Sequence, residues 1–381
     1  MTERERQILA LLREDPMLSA AAIARRLKTS AAAVAVHLSA LRQQGEILGR
    51  GHVLKPEGRV IVIGGANMDF KCQSRARLVP GTSNPGHVAL AVGGVACNIA
   101  RNLAKLGVPT ALMSVVGQDE FGERILREAR AAGIDVSPTL LSTKPTGTYA
   151  ALLDADGELT AAVSAMDATD DLTAAHLGAR EAAFRQAALV VADCNLNEAA
   201  LDRLAAICAA AHVRLAIDAV STPKVTRLRR LLRARRPIHL LALNRDEVAA
   251  LSGKPAGSQR ALRAAVAALH AAGIANIVVS LGAAGVHASS AAPASAATAA
   301  AFPMAAVDVT GAGDAALAGT VFGLLQGQDL ATAARWGQAA AALTIGVAET
   351  VSPALSAAAL RAMLGKGDRR RQAARHPGAR P

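Results

Sequence analysis

Aromatic residues and cysteines are scarce in this sequence, and no long uncharged apolar run occurs. Phe, Trp and Tyr make up 2% of the 381 residues, whereas hydrophobic residues make up 52%. The core is therefore expected to be aliphatic, as is typical of helices packed on a parallel sheet. The four cysteines show no C-x-x-C spacing, which indicates neither a zinc site nor a disulfide framework. Because neither a leader pattern nor a membrane span is visible, we expect a cytoplasmic protein without membrane contact.

Acidic residues are outnumbered, and the net charge is +12, but the excess is local. Counted from the sequence, residues 224–236 carry seven basic and no acidic side chains, 361–381 carry seven and one, and 1–58 carry nine and six. Apolar residues within 224–236 fall at helical spacing, which favours a solvated face of an amphipathic helix over a nucleic-acid site. We expect residues 366–381 to form a basic, disordered tail.

No G-x-x-x-x-G-K-S/T pattern occurs, so a P-loop is excluded, but a different phosphate-binding pattern is present. A predicted Ala/Leu-rich helix is preceded by D-V-T-G-A-G-D at 308–314. The backbone N–H groups and the helix dipole at such a turn predict an anion hole for a phosphoryl group. A carboxylate repels phosphate, so Asp314 is predicted to be a base that deprotonates an attacking hydroxyl.

Two alternatives exist for this turn. Asp314 could only cap the helix, and residues 311–316 also fit a loose G-x-G-x-x-A dinucleotide pattern. The second alternative is disfavoured, because a dinucleotide pattern belongs after the first strand of a βαβ unit.

The D-x-T-G-A-G-D motif resembles the C-terminal signature of the ribokinase-like (PfkB) family of sugar and nucleoside kinases. Residues 93–100 match the family's N-terminal signature, G-G-x-x-x-N-x-A. The resemblance implies an ATP-dependent phosphotransferase with an alcohol acceptor over residues 59–365. Its expected fold is α/β, a doubly wound and mostly parallel sheet with a small β lid. Asp314 is then the catalytic base, and the anion hole is formed by Gly311, Ala312 and Gly313.

The order of predicted elements agrees with that fold. Helical patterns separate five buried strands, each followed by polar residues, at 60–63, 189–192, 215–217, 240–243 and 277–279. The stretch 146–163 alternates like a β-hairpin and is expected to form the lid with 70–92. A kinase needs such a lid to keep water from its ATP.

The acceptor site is predicted from polar residues and glycines near strand ends. Asn67 and Asp69 follow the first strand, where ligands bind in α/β sheets, and the resemblance assigns ribose hydroxyls to Asp69; turn formation is the alternative. Gly93 and Gly94 permit close approach of a substrate, and Asn98 is expected to bond a ribose hydroxyl. The predicted set is completed by Asn84, Thr148 and Asn195.

The run N-R-D-E at 244–247 has two compatible interpretations. N-x-x-E is a capping box, and in the family it organises Mg²⁺ around the nucleotide phosphates, largely through water. The predicted metal residues are therefore Asn244 and Glu247. The resemblance places a monovalent-cation site at Asp308 and Thr310, without deciding whether K⁺ is needed. It places ATP against Asn244, Ser280, Gly282, Gly285 and Gln338.

Residues 1–55 predict a separate winged helix-turn-helix domain. Three helical patterns end with 30–44, and a short hairpin at 47–54 would be the wing. The segment resembles winged DNA-binding domains of bacterial regulators, although a protein-interaction or dimerisation domain is the alternative. The resemblance implies DNA contacts by Ser30, His37, Arg42 and Arg50.

The resemblance narrows to the pseudouridine kinase branch, through S-N-P-G at 83–86 and the strand ends at 191–195 and 218–221. It implies phosphorylation of the 5′-hydroxyl of pseudouridine, with ATP and Mg²⁺, and we expect a homodimer. Because aromatic residues are few, base selectivity is expected from Asn84 and Asn195. Ala165 departs from the acid or amide expected there, which would relax selectivity if this position meets the base.

Two rival functions stay open at this point. One is a ribose or general nucleoside kinase. The other is a transcriptional regulator whose kinase-like domain only senses its ligand, although a sensor would not need the intact Asp314.

Overall fold

The computed structural model describes residues 1–15, 17–44, 46–47 and 59–365. Its helices are α1 (Glu3–Glu14), α2 (Ala20–Arg26), α3 (Ala31–Gln43), α4 (Val95–Lys105), α5 (Glu120–Ala131), α6 (Ala174–Ala179), α7 (Glu181–Arg185), α8 (Glu198–Ala210), α9 (Thr222–Val225), α10 (Arg229–Arg233), α11 (Arg245–Ser252), α12 (Gln259–Ala271), α13 (Ala312–Leu325), α14 (Leu330–Ile345) and α15 (357–365). Its strands are β1 (Val60–Ile63), β2 (Asn67–Ser74), β3 (Gly86–Gly93), β4 (Thr110–Met113), β5 (Val115–Gly117), β6 (Leu140–Ser142), β7 (Gly147–Leu153), β8 (Leu159–Ala165), β9 (Leu189–Asp193), β10 (Arg214–Asp218), β11 (Ile238–Asn244), β12 (Ile274–Ser280), β13 (Val286–Ala291) and β14 (Ala294–Ala299).

The main sheet has the order β14-β13-β12-β11-β10-β9-β1-β4. Strands β4, β1 and β9 to β12 run parallel, and the β13–β14 hairpin adds two antiparallel strands at one edge. This arrangement confirms the predicted doubly wound, mostly parallel α/β fold. The five strands predicted from the sequence are β1 and β9 to β12.

Both faces of the main sheet are covered by helices, which explains why its strands are continuous apolar runs. Successive β1 residues point to opposite faces: Ile61 and Ile63 join a core with α6 to α8 and α10 to α12, while Val60 and Val62 join a core with α4, α5 and α13 to α15. No helix in the described part of the chain is both long and apolar enough to span a bilayer.

A second sheet, with the order β3-β2-β7-β8, forms the predicted lid. Strand β2 pairs antiparallel with β3 and parallel with β7, and the β7–β8 hairpin turns near Gly157, which has φ 86°. Because β2 follows β1 after three residues, the lid rises from the carboxyl edge of the main sheet.

Helices α1 to α3 enclose a separate small core built from residues 8–47. Thr2 and Glu5 form a capping box on α1, and Ser19 caps α2. These helices confirm the predicted three-helix pattern. Most of the predicted wing, including Arg50, and the predicted tail at 366–381 lie outside the described residues.

Candidate active site

The glycine-containing turn before α13 forms a helix N-terminus that opens into a cavity. Gly311 has φ 79°, and a Cβ there would approach the Thr350 carbonyl oxygen to 2.2 Å, so only glycine fits. The N–H of Ala312 donates to the Val309 carbonyl (3.2 Å). Within the described chain no side chain caps this helix. The N–H groups of Gly313 and Asp314, in the first turn of α13, have no partner within the helix and can face an anion.

Asp314 is 9% exposed and belongs to the first turn of α13. Its Oδ2 accepts a hydrogen bond from the Asn98 side-chain amide (2.8 Å). Burial raises the pKa of Asp314 well above its ordinary value, and the neighbouring Asp218 carboxylate raises it further. A carboxylate with a raised pKa is a stronger base, so this environment suits proton abstraction better than helix capping.

Asn98 has a partner other than the predicted ribose hydroxyl. It is 3% exposed, its amide nitrogen is committed to Asp314, and its Oδ1 lies 3.4 Å from the Thr350 hydroxyl. Because Thr350 donates to the oxygen, the amide is oriented with its N–H toward the carboxylate. Asn98 thus positions the predicted base.

A cavity of about 860 Å³ extends from this turn across the carboxyl ends of β10 to β12. Its volume lies within the usual range for small-molecule sites. Its lining includes Gly313, Asp314 and the predicted metal residue Glu247. It also includes all five residues predicted to contact the nucleotide: Asn244, Ser280, Gly282, Gly285 and Gln338. The Ser280 hydroxyl donates to the Leu243 carbonyl (3.3 Å), and the Gln338 side chain lies against the backbone of the β13–β14 hairpin.

Asn244 and Glu247 form the predicted capping box on α11. The Glu247 N–H donates to Asn244 Oδ1 (2.9 Å), and the Asn244 N–H donates to Glu247 Oε2 (2.7 Å). Burial raises the pKa of Glu247. No three Asp, Glu, His or Cys side chains among the described residues could together hold a metal ion directly. The oxygen donors here do fit a hydrated Mg²⁺, which commonly uses one or two carboxylates plus substrate phosphates.

Asp218, at the end of β10, is a site residue that the sequence reasoning did not select. It lines the cavity, and its Oδ1 accepts from the Val220 N–H (2.8 Å). Burial raises its pKa to about 7, and Glu247 and Asp193 add to the rise. Val220 has φ 64°, which is strained for a β-branched residue, and such strain often occurs at functional sites. The sequence signal that could have identified Asp218 is its place as a polar residue at the carboxyl end of a strand.

The acceptor side contains the predicted Asn67 and Asp69 on one face of β2. The Asn67 amide donates to Asp69 Oδ1 (2.6 Å), and burial raises the pKa of Asp69. Gly93 lies opposite Asn67 in β3, where a Cβ would overlap the Asp69 carboxylate. Gly94 precedes α4 with φ 94°, close to the backbone of Gly65.

Asp193, which the sequence reasoning also did not select, connects several segments of the acceptor side by hydrogen bonds. Its Oδ2 accepts from the N–H groups of Gly65 (2.9 Å) and Ala96 (3.0 Å), and its Oδ1 accepts from the Asn195 N–H (2.8 Å). The carboxylate is fully buried, and burial raises its pKa. It therefore fixes three chain segments relative to one another.

Asn195 is oriented by Lys224, a further residue that was missed. The Lys224 ammonium donates to Asn195 Oδ1 (2.6 Å), which leaves the amide nitrogen facing Gly65. Met166 lies against Gly65 and also against Gly147, which adjoins Asn67. Met166 therefore lies near both Asn67 and Asn195 at the acceptor side.

Thr148 and Ala165 lie on the opposite face of the lid from Asn67 and Asp69, because Thr148 pairs with Met68 and with Ala165. Both line a separate cavity of about 440 Å³ beside Phe121. The structure thus contradicts the prediction that Thr148 contacts substrate. Because Ala165 lies on the same face as Thr148, its difference from the expected acid or amide does not bear on base selectivity.

Asn84 is occupied by its own loop. Its Oδ1 accepts from the Val79 N–H (2.8 Å), and its amide donates to the carbonyls of Val79 (3.0 Å) and Thr82 (3.1 Å). Both ends of this amide are therefore engaged within the loop of residues 79–84.

The predicted cation residues Asp308 and Thr310 lie two residues apart, and other groups of the protein already bind both oxygens of the Asp308 carboxylate. Asp308 Oδ1 accepts from the Thr310 N–H (2.8 Å), and Oδ2 contacts the Lys71 ammonium.

The predicted DNA-contacting residues are only partly available. Ser30 caps α3 by accepting from the Ala33 N–H (3.1 Å), and the half-buried His37 imidazole lies 3.6 Å from the Glu5 carboxylate of α1. Arg42 is exposed on α3.

The sequence predicted that the basic stretch 224–236 is a solvated helix face. The structure shows that some of its cations bind other parts of the chain instead. Arg227 donates to the carbonyls of Cys194, Asn195 and Leu196. Arg236 pairs with Asp202 (2.9 Å). Arg227 thus holds the chain that follows β9, whereas Arg236 binds α8.

Comparison with known proteins gives two domain matches. A family model described as pfkB family carbohydrate kinase matches residues 57–357, and one described as winged helix-turn-helix DNA-binding matches residues 1–47. The chain is similar to an uncharacterized sugar kinase, YeiI, of Escherichia coli, with 34% identity over 94% of this chain and 97% of that protein. It is similar to a pseudouridine kinase of the same organism, with 33% identity over 80% of this chain and 96% of that protein. It also resembles the solved structure of a carbohydrate kinase from Agrobacterium tumefaciens, with 32% identity, a TM-score of 0.71, and coverage of 81% and 97%.

Proposed function

The chain belongs to the pfkB family of carbohydrate kinases, and from that premise we propose that it phosphorylates the 5′-hydroxyl of pseudouridine with ATP. Membership makes it an ATP-dependent phosphotransferase with a hydroxyl acceptor. The observation that carries the reaction is Asp314, a buried carboxylate held by Asn98 at a helix N-terminus that opens into the cavity. Pseudouridine as acceptor is supported by the similarity to a pseudouridine kinase over most of the chain.

In the proposed reaction, Asp69, held by Asn67, binds ribose hydroxyls and presents the 5′-hydroxyl to Asp314. Asp314 accepts the proton as the 5′-oxygen attacks the γ-phosphorus of ATP, and ADP leaves. The N–H groups of Gly313 and Asp314 stabilise charge on the transferring group. Mg²⁺ held near Asn244 and Glu247 would supply positive charge to the nucleotide phosphates.

Base recognition would divide between two amides with fixed orientations. Because Lys224 occupies Asn195 Oδ1, Asn195 offers an N–H donor, which suits a ring carbonyl present in both pseudouridine and uridine. Because Asn67 donates to Asp69, its Oδ1 is left as an acceptor. Pseudouridine has a ring N–H where uridine has C–H, so we assign that N–H to Asn67. An unpaired acceptor with uridine would cost on the order of 1–3 kcal/mol.

A phosphorylation panel tests this function. Initial rates of ADP formation would be measured with pseudouridine, uridine, ribose, adenosine and fructose. We expect catalytic efficiency with pseudouridine to exceed that with uridine by at least about tenfold. Equal rates with both would indicate a general nucleoside kinase, and a preference for ribose would indicate a ribokinase. Ligand binding without turnover of any acceptor would support the sensing regulator.

DNA binding is a second function, favoured by the winged helix-turn-helix match at 1–47. We expect the full chain to retard its own upstream DNA, with an affinity that falls steeply with salt because phosphate contacts release counterions. Deletion of residues 1–57 should abolish retardation and keep kinase activity, since the core of residues 8–47 is separate from the two main-sheet cores. Absence of retardation at low salt would leave dimerisation as its role.

A homodimer is proposed from the outer face of the lid. Val88, Leu90, Leu152 and Val163 are all exposed on the face that carries Phe70 and Cys72. An apolar sheet face of this kind marks an interaction surface, and a second copy offers the same face. Sedimentation should give a dimer for the wild type and a monomer for Val163→Glu; a wild-type monomer would contradict the proposal.

A further inference from the structure

An ion pair joins the lid to the loop that leads into the phosphate-binding turn. Lys71 lies on β2, on the same face as Asn67 and Asp69, and its ammonium contacts Oδ2 of Asp308. The side chains are 26% and 24% exposed, so both are largely removed from water. The two residues are 237 positions apart in the chain. The contact therefore depends on how the lid packs against the loop before α13.

Hydrogen bonds fix Asp308 in the loop that leads into the phosphate-binding turn. Its Oδ1 accepts from the Thr310 N–H (2.8 Å), and the N–H groups of Val307 and Asp308 both donate to the Ile345 carbonyl (2.7 and 3.3 Å). Burial acts to raise its pKa, but the hydrogen bonds from Lys71 and Thr310 dominate and hold the pKa below its usual value. Asp308 is thus an anion six residues before Asp314, at the helix N-terminus proposed to receive a phosphoryl group. Left alone, it would repel that group.

The family resemblance would place a monovalent cation at this carboxylate, but the residues fit a different cation better. Both carboxylate oxygens already have partners, and one of them is an ammonium ion. A second positive charge at the same oxygens would be repelled by Lys71.

We propose that Lys71 supplies from within the chain the positive charge that Asp308 needs, so that phosphoryl transfer does not depend on an added monovalent cation. Lys71 acts as a positioning residue: it holds strand β2, and with it the acceptor residue Asp69, against the phosphate-binding turn. The inference rests on the proposed kinase function only for its turnover readout.

The test compares variants of the full-length protein in KCl and in tetramethylammonium chloride at constant ionic strength, so that screening is equal. Wild-type kcat/KM should change by less than about twofold between the salts. Lys71→Met should lose about tenfold or more in tetramethylammonium, the size expected of an unpaired charge beside a phosphate. It should recover in KCl, where K⁺ can approach Asp308, and Lys71→Arg should resemble the wild type.

The matched control is Lys144→Met, which removes the Lys144–Asp171 pair (2.6 Å) without touching the cavity. It should show no salt-dependent loss. In an Asp308→Asn background, Lys71→Met should have no further effect, because no charge is left to balance. A wild type that loses tenfold without K⁺, or a Lys71→Met variant that behaves like the control, would overturn the proposal.

Nucleotide affinity provides a readout that needs no acceptor. Calorimetry with ADP should show the same pattern: weaker binding for Lys71→Met in tetramethylammonium and recovery in KCl. If no acceptor in the panel is phosphorylated, the proposed function fails, whereas the ADP affinities still decide this inference. Melting temperatures of each variant exclude misfolding as the cause of a loss.

Discussion

The phosphate side and the acceptor side of this site are built in different ways. On the phosphate side, two motifs are closed by local contacts: Asn244 and Glu247 cap one helix across three residues, and Asp308 bonds Thr310 across two. One distant bond, from Asn98 to Asp314 across 216 residues, then holds the predicted base. On the acceptor side, the contacts that orient Asn195 and Gly65 come from outside their own segments, since Lys224 bonds Asn195 across 29 residues and Asp193 bonds Gly65 across 128. Local contacts thus shape each motif, and distant contacts bring the motifs together.

The largest expected effect is on the phosphate side. Asp314→Asn keeps the shape and can still accept the Asn98 hydrogen bond, but removes the base, so turnover should fall by roughly two to four orders of magnitude. Pseudouridine affinity by calorimetry should stay within a few-fold of the wild type. Asp246→Asn, which removes an exposed carboxylate near the cavity, is the control. Near-wild-type turnover of Asp314→Asn would show that the base lies elsewhere.

The second prediction concerns the acceptor side and separates its two amides. Asn67→Ala should reduce the pseudouridine-to-uridine ratio of kcat/KM by about tenfold, because it removes the acceptor assigned to the ring N–H. Asn195→Ala should lower both efficiencies and leave the ratio unchanged, since its donor meets a shared carbonyl.

Asn84→Ala is the control for this pair, because its amide is used within its own loop. The sequence had predicted that Asn84 and Asn195 select the base. The present assignment gives that selection to Asn67 instead of Asn84. A ratio that changes with Asn195→Ala and not with Asn67→Ala would reverse the assignment.

The same contrast explains how much the sequence could predict. Contiguous patterns identified five of the eight strands of the main sheet, the lid, the helix-turn-helix pattern and the D-V-T-G-A-G-D turn, because period and turn chemistry act locally. The pairing of Lys224 with Asn195 and of Lys71 with Asp308 joins residues 29 and 237 positions apart. A single sequence carries no signal for such pairs.

Thr148 shows a second kind of limit. Its type and position after Gly147 suited a substrate contact, but strand register decides which face a residue occupies, and a shift by one residue reverses it. The observed pairing with Met68 places Thr148 away from Asp69. The packing of the lid sets the strand register. The alternating pattern of residues 146–163 does not specify which residue of β2 lies opposite Thr148.

The third prediction tests whether the N-x-x-E motif has a role beyond capping. Glutamine can replace glutamate in a capping box, so Glu247→Gln should keep the melting temperature close to the wild-type value. Its Mg²⁺ requirement should rise by about tenfold, as for other groups that orient metal-bound water. Glu247→Ala, which also loses the cap, should melt a few degrees lower. An unchanged Mg²⁺ requirement in Glu247→Gln would reduce the motif to a cap.

The smallest effect is a pH dependence of stability caused by Asp218, on the phosphate side. Burial raises its folded-state pKa to about 7, whereas an aspartate in the unfolded chain has a pKa of about 4. Below both values the carboxyl is neutral in the folded and unfolded chains, so it adds no pH dependence. As pH rises from about 4 to 7, the unfolded chain loses this proton while the folded chain keeps it, so the free energy of unfolding falls. Above about 7 the effect levels off.

Asp218→Asn removes this titration and can keep an acceptor for the Val220 N–H. The melting temperature of the variant should therefore gain on the wild type as pH rises from about 4.5 to 7, by a few degrees for a domain of this size, with Asp246→Asn as control. Thermal scans without nucleotide would measure the difference. A constant difference across this range would mean that Asp218 is ionised throughout and stands as a fixed negative charge beside Asp314.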